Sequence, residues 1–105
     1  MQSAAISGWR AIERGADAGQ ASRITVYVPA PDRLKAFPDA RLAKPKTKTE
    51  SGLRKRWRDN DSIYEWDRRH GTVEIYDRRG RHLGEFDAET GRRLKPANPD
   101  RRVEP

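Results

Sequence analysis

Three short candidate strands constrain the fold most: Ile63–Asp67, Thr72–Tyr76 and His82–Phe86. Between them lie turn-forming residues: Gly71, then Asp77-Arg78-Arg79-Gly80, then Asp87-Ala88-Glu89-Thr90-Gly91. Short apolar runs with turn signals about every ten residues describe an antiparallel meander. Arg92–Lys95 is a candidate fourth strand. A chain of 105 residues fits one domain, and with 33% hydrophobic residues its core is small.

The first half reads less regularly. Ala5, Ile6, Trp9, Ile12 and Ala16 recur at helical spacing, with Ser3 or Ser7 as cap and Gly15 and Gly19 as early stops. This predicts a short helix. Ile24–Val28 reads as a strand. Pro29, Pro31 and Pro38 then break regular structure. Residues 32–56 read as an extended loop with one helical turn near Arg33–Phe37, and Lys44–Thr49 as solvated and mobile. The tail from Pro96 reads as irregular. The expectation is an α+β, mostly β fold: a helix or linker over 1–23, then a folded domain over 24–105.

Composition narrows the function. With no cysteine, disulfides and Cys-ligated metal centres are excluded. No run approaches the ~20 apolar residues of a membrane helix, and Met1 begins no recognisable signal peptide. The net charge of +7 points to a polyanionic partner. It is unevenly spread. Residues 31–60 hold ten basic and four acidic groups, whereas residues 61–105 hold ten of each. The middle third would attract phosphates, through Lys46, Lys48, Arg54, Lys55 and Arg56, and the balanced third would be the folded body.

Strand parity adds chemistry. Side chains alternate between faces, so Val73, Ile75 and Trp66 belong to a core face, and Asp67, Glu74 and Tyr76 to an open one, with His70 in the connecting turn. RNA can be cleaved without a metal, because its own 2′-hydroxyl attacks the adjacent phosphorus. That reaction needs a base, an acid and a cation for the phosphorane. Glu and His suit the first two tasks when their environments tune them apart, and Arg suits the third. Asp67 would hold the imidazole. On periodicity alone the plainer alternative is a solvated sheet face with an idle histidine. A metal site of Asp67, His70 and Glu74 is a second alternative, in a chain with two His and no Cys. His82 reads as a hydrogen-bonded structural residue, and Trp57 and Trp66 as packing rather than base-stacking groups.

The order Arg54-Lys55-Arg56-Trp57, Ile63-Tyr64-Glu65-Trp66-Asp67, His70-Gly71, Glu74 and Tyr76 closely resembles the cytotoxic ribonuclease domain of cloacin and the ribosome-inactivating group-E colicins. His82-Leu83-Gly84, Phe86-Asp87, Thr90-Gly91 and Leu94-Lys95 continue it, and Tyr27, Pro29-Ala30-Pro31 and Pro45-Lys46-Thr47 fit upstream. The resemblance covers residues 27–102. It implies a short N-terminal helix, a highly twisted antiparallel sheet, and an endoribonuclease toxin that cuts small-subunit ribosomal RNA in the decoding site. It implies Glu74 as general base, His70 as general acid, Asp67 as the orienting group, and Arg101, or its neighbour Arg102, as the phosphorane stabiliser. Tyr76 and Lys95 match RNA-contacting positions. No cofactor or metal is implied. The partners implied are the ribosome and a cognate, acidic immunity protein, for a toxin delivered to the cytoplasm of a target bacterium. The loop Arg58–Ser62 is shorter than in the family, and Val103-Glu104-Pro105 replaces a more basic, aromatic tail. A non-catalytic RNA-binding module, or a relative that cuts transfer RNA, would use the same basic segment.

Overall fold

In the computed structural model, residues 26–105 are described. The expected N-terminal helix lies outside them, as do Ile24 and Thr25. Among the described residues there is no helix, and the regular structure is all strand. We number the strands β1 (Arg41–Ala43), β2 (Lys48–Thr49), β3 (Gly52–Leu53), β4 (Arg56–Arg58), β5 (Ser62–Asp67), β6 (Thr72–Asp77), β7 (His82–Phe86) and β8 (Arg93–Lys95). Six of them form one antiparallel sheet in the order β1-β4-β5-β6-β7-β8, and β2 and β3 form a separate hairpin. The three meander runs and the candidate fourth strand are therefore present. The expected loop over 32–56 is not one loop, because it holds β1, β2, β3 and the start of β4. These strands have two or three residues each, too few for period-2 alternation to stand out.

One sheet face makes the core. Trp57, Tyr64, Trp66, Val73 and Ile75 pack there with Leu34 and Ala88, while Ala30, Phe37, Ala40 and Phe86 close the margin. Both tryptophans are buried and donate their indole N–H to backbone oxygens, Trp57 to Asp32 at 3.1 Å and Trp66 to Val28 at 2.8 Å. They are packing groups, not stacking platforms. Those two bonds also tie down the proline-rich segment, whose apolar residues lie over the core. The helical turn expected near Arg33–Phe37 is instead a pair of successive turns, with Phe37 N–H donating to Leu34 and Ala40 N–H to Phe37, each at 3.0 Å. Residues 26–28 are not a strand, although Val28 N–H still donates to Arg68 O at 2.7 Å.

The opposite face departs most from expectation. Parity predicts it to be open, yet Asp67, Glu74 and Tyr76 are buried, at 6%, 2% and 0% exposure. Two peripheral segments touch it. From one side comes the stretch around β2–β3, where Thr47 Oγ1 donates to Glu65 Oε2 at 2.6 Å. From the other comes the C-terminal strap, residues 98–103. His82 N–H donates to Arg101 O at 3.2 Å, Val103 N–H donates to Gly80 O at 2.9 Å, and Arg81 pairs with Arg102. Gly80 makes the strap possible. It lies at φ 87°, and an added Cβ would sit 2.0 Å from the Val103 carbonyl oxygen.

Candidate active site

Strand register builds the site. Arg56 of β4 pairs with Glu65 of β5, Glu65 with Glu74 of β6, Glu74 with Glu85 of β7, and Glu85 with Lys95 of β8. A row of three buried glutamates thus crosses the sheet with a cation at each end. Like charges directly opposite one another in a ladder repel, so each glutamate needs its own partner. Glu65 takes Arg56, through Nε at 3.0 Å and Nη2 at 2.7 Å, in a fully buried pair. Glu85 takes a hydrogen bond from Thr72 Oγ1 at 2.9 Å and faces Lys95 Nζ at 3.8 Å.

Glu74 takes His82. The imidazole Nδ1 accepts the backbone N–H of Asn98 at 2.9 Å, so its proton is on Nε2 and is donated to Glu74 Oε1 at 2.7 Å. Both side chains are almost wholly buried. The other oxygen, Oε2, lies 3.6 Å from Arg101 Nη1. The sequence reading gave His82 only a structural part. Here it fixes the orientation of Glu74 and leaves one carboxylate oxygen for chemistry. Sequence offered one sign of this, since His82 opens the strand next to that of Glu74.

Arg101 reaches the site from the strap. Its Nε donates to Tyr76 Oη at 2.9 Å. Burial opposes the guanidinium charge, but Tyr76 and Glu74 outweigh it and raise its pKa further. Burial likewise raises the Tyr76 hydroxyl against the pull of Arg101, so the hydroxyl stays protonated. Arg102 is exposed and points its backbone, not its charge, at Arg81. Of the two adjacent arginines it is therefore Arg101 that the strap brings to the acids.

Asp67 and His70 form the other half. The turn places His70 Nδ1 2.7 Å from Asp67 Oδ2, while Asp67 Oδ1 accepts the N–H groups of Arg69 and His70 at 3.0 and 3.2 Å. Burial works against a charge on Asp67. The hydrogen bonds from the His70 ring and backbone, with help from Arg54, prevail and hold its carboxyl below the usual range. His70 itself is half exposed. With Nδ1 engaged, Nε2 remains free to exchange a proton. Asp67, His70, Arg101 and Arg54 all line one cleft of about 300 Å³, bordered by Tyr27 and Arg68. Arg54 Nη1 is buried there and has no hydrogen-bond partner among the described residues.

The structure divides the expected RNA-contacting residues. Lys48 and Lys95 are exposed, and Arg54 faces the cleft. Lys46 is exposed but donates to Pro105 O at 2.7 Å. Lys55 donates to Pro31 O at 2.9 Å and lies over the Trp57 ring on the core side. Two residues do not fit that role. Arg56 is 1% exposed and committed to Glu65, and Tyr76 has no exposed surface. Tyr76 instead holds Arg101. The alternative metal set of Asp67, His70 and Glu74 does not assemble either. Among the described residues the third carboxylate beside Asp67 and His70 is Glu85.

Comparison with known proteins shows the family. Residues 28–104 match the family described as Cytotoxic. The chain is 42% identical over 84 residues to colicin E3 of Escherichia coli, with 73% of this chain and 15% of that protein covered. It is 38% identical over 84 residues to cloacin, again over 73% of this chain and 15% of the relative. Colicin-E6, at 38% over 80 residues, covers 71% of this chain and 14% of the relative. The chain thus spans about one seventh of the length of these Escherichia coli relatives. A buried glutamate held by a histidine, an aspartate–imidazole pair, and a strap-borne arginine share one sheet face, within a segment that aligns almost end to end with the family: the chain belongs to the Cytotoxic family of the colicins and cloacin.

Proposed function

We propose that this chain is the nuclease part of a bacteriocin-type toxin. It cleaves small-subunit ribosomal RNA at the decoding A-site by metal-independent attack of the 2′-hydroxyl. The observation that carries this furthest is the cleft. Asp67 and His70 stand there beside two arginines; Arg101 links the cleft to Glu74, 3.6 Å from its Oε2, and Arg54 offers a buried nitrogen with no partner among the described residues. A buried unsatisfied donor is costly, and a phosphate oxygen would satisfy it.

Each role follows from a contact. Glu74 Oε2, free of His82, accepts the 2′-hydroxyl proton. The oxygen so activated attacks phosphorus, and Arg101 and Arg54 stabilise the charged phosphorane. His70 gives its Nε2 proton to the departing 5′ oxygen. The products are a 2′,3′-cyclic phosphate and a free 5′-hydroxyl. Asp67 holds the imidazole through Nδ1 and so leaves Nε2 to deliver the proton. Partners follow from the family: the ribosome as target and a cognate immunity protein in the producing cell, acidic to complement the basic surface. The toxin acts in the cytoplasm of a target bacterium after delivery.

The test is direct. Ribosomes are incubated with the protein in EDTA and the small-subunit RNA is resolved on a gel. A single 3′-terminal fragment is expected, absent with Glu74→Gln and His70→Ala. Intact RNA from folded protein would refute the proposal and leave a non-catalytic RNA-binding module. Fragments from transfer RNA instead would redirect the target but keep the chemistry.

A further inference from the structure

Glu85 has no part in the chemistry above, yet it lies against it. It is 7% exposed, and among the described residues only one of its oxygens receives a hydrogen bond, from Thr72. One donor atom each from Asp67, His70 and Glu85 lies within 4.8 Å of the others. We propose that these three side chains form a binding site for a zinc-class divalent ion, and that the ion inhibits by occupying the imidazole.

The donor set suits such an ion. The imidazole is a borderline ligand that favours zinc over magnesium, and zinc also accepts carboxylate oxygens such as those of Asp67 and Glu85. Ligand atoms around tetrahedral zinc lie about 3.3 Å apart, given metal–ligand distances near 2.0–2.1 Å. The observed group needs to close by up to about 1.5 Å at its widest, while the 2.7 Å Asp67–His70 contact opens slightly. His70 is on a turn and half exposed, so it can make that adjustment.

The surrounding bonds favour it as well. Backbone N–H groups already hold Asp67 Oδ1, and Thr72 holds one oxygen of Glu85. Each carboxylate therefore keeps one oxygen for a metal and is oriented through the other, the outer-sphere support that metal sites need. The cleft supplies the path from solvent. Three cations oppose the ion. Lys95 Nζ sits 3.8 Å from Glu85 on an exposed side chain that can swing away, and Arg54 and Arg101 line the same cleft. They set the affinity below that of a dedicated structural zinc site. Binding stands independently of the nuclease assignment; inhibition rests on the role given to His70.

The experiment titrates the intact chain with ZnCl2, without RNA, by calorimetry, and follows the imidazole ring signals by NMR. The chain has only two histidines, so the spectrum is simple. One ion should bind, shifting the His70 signals and leaving those of His82 nearly unmoved. Glu85→Gln should weaken binding by at least about tenfold, the loss that even outer-sphere partners of a metal cause. His70→Ala, at an exposed position that folding does not need, should abolish it, and MgCl2 should not bind. No zinc binding at micromolar to millimolar concentration, or binding unchanged in both variants, would overturn the site. In the ribosome assay zinc should block cleavage by wild type, with EDTA restoring it, and should block Glu85→Gln only at higher concentration. Zinc that binds as described but leaves cleavage untouched would overturn the inhibition alone.

Discussion

Arg101 is gripped on two sides, by the Tyr76 hydroxyl at Nε and by the Glu74 carboxylate near Nη1. Tyr76→Phe removes one grip without opening a cavity. A hydrogen bond of this kind is worth about 1 kcal/mol, so cleavage should slow up to about tenfold in kcat, with KM little changed. A large rise in KM instead would return Tyr76 to the RNA surface. His82→Ala should cost more, because Glu74 loses its buried donor, whereas an unaltered rate would make the His82 contact merely structural. Asp67 bears on stability as well as on chemistry. Its carboxyl is held below the usual range once folded, so its charge contributes stability that is complete above the unfolded value near 4 and is lost as pH falls through the lowered folded value. Asp59, Asp77 and Asp87 are shifted the same way. Urea midpoints should therefore hold steady from about pH 7 to 5 and fall below about 4, less steeply in Asp67→Asn. The residue types of this half of the site were legible in the sequence: an acid, a histidine three places on, and a glutamate four beyond. The burial of the two acids was not. Parity tells which face a side chain takes, but not what covers that face, and here the cover comes from segments far away in sequence.

The elements that supply this cover were the ones sequence described least. Strands of two or three residues carry too little periodicity to announce themselves, so the β2–β3 hairpin and β4 were hidden inside an apparent loop, while the five- and six-residue runs of β5, β6 and β7 were plain. The strap is not a strand at all and is held to the turn after β6 and the start of β7 by two backbone hydrogen bonds, which make the Arg81–Arg102 bridge, and by the Asn98 N–H on His82 Nδ1. Gly80→Ala tests it. The new Cβ would collide with the Val103 carbonyl at a left-handed φ, so the strap must shift and carry Arg101 with it. Cleavage should fall by about a hundredfold or more, near what loss of one charge-stabilising donor costs, while strand circular dichroism persists. Full activity in a folded Gly80→Ala chain would show that the strap does not position Arg101. On the other flank, β4 and β5 are joined by the Arg56–Glu65 pair. Arg56→Ala leaves a buried carboxylate alone and should destabilise by about 3–5 kcal/mol in urea unfolding. A cost under about 1 kcal/mol would mean that Glu65 finds water or another partner.

For the whole molecule, the +7 charge is less free than it looks. Arg56 is spent inside the sheet and Lys55 on the core side, so the surface attraction expected from residues 31–60 falls to groups such as Lys48, Arg54 and Arg58, joined by Arg69, Arg93 and Lys95 from the balanced third. RNA affinity should still drop linearly in a plot of log affinity against log salt, by about 0.7 per phosphate neutralised on a single strand. Lys48→Ala should lower that slope, and Arg56→Met should leave it alone. The strap has one more consequence, in the order of manufacture. A ribosome makes this segment from its N-terminal side, so all eight strands are synthesised before Arg101. The site stays incomplete until Arg101 has left the exit tunnel and the strap has closed on the turn after β6. For a chain whose proposed target is the ribosome, the machine that builds it handles an unarmed protein until the strap emerges.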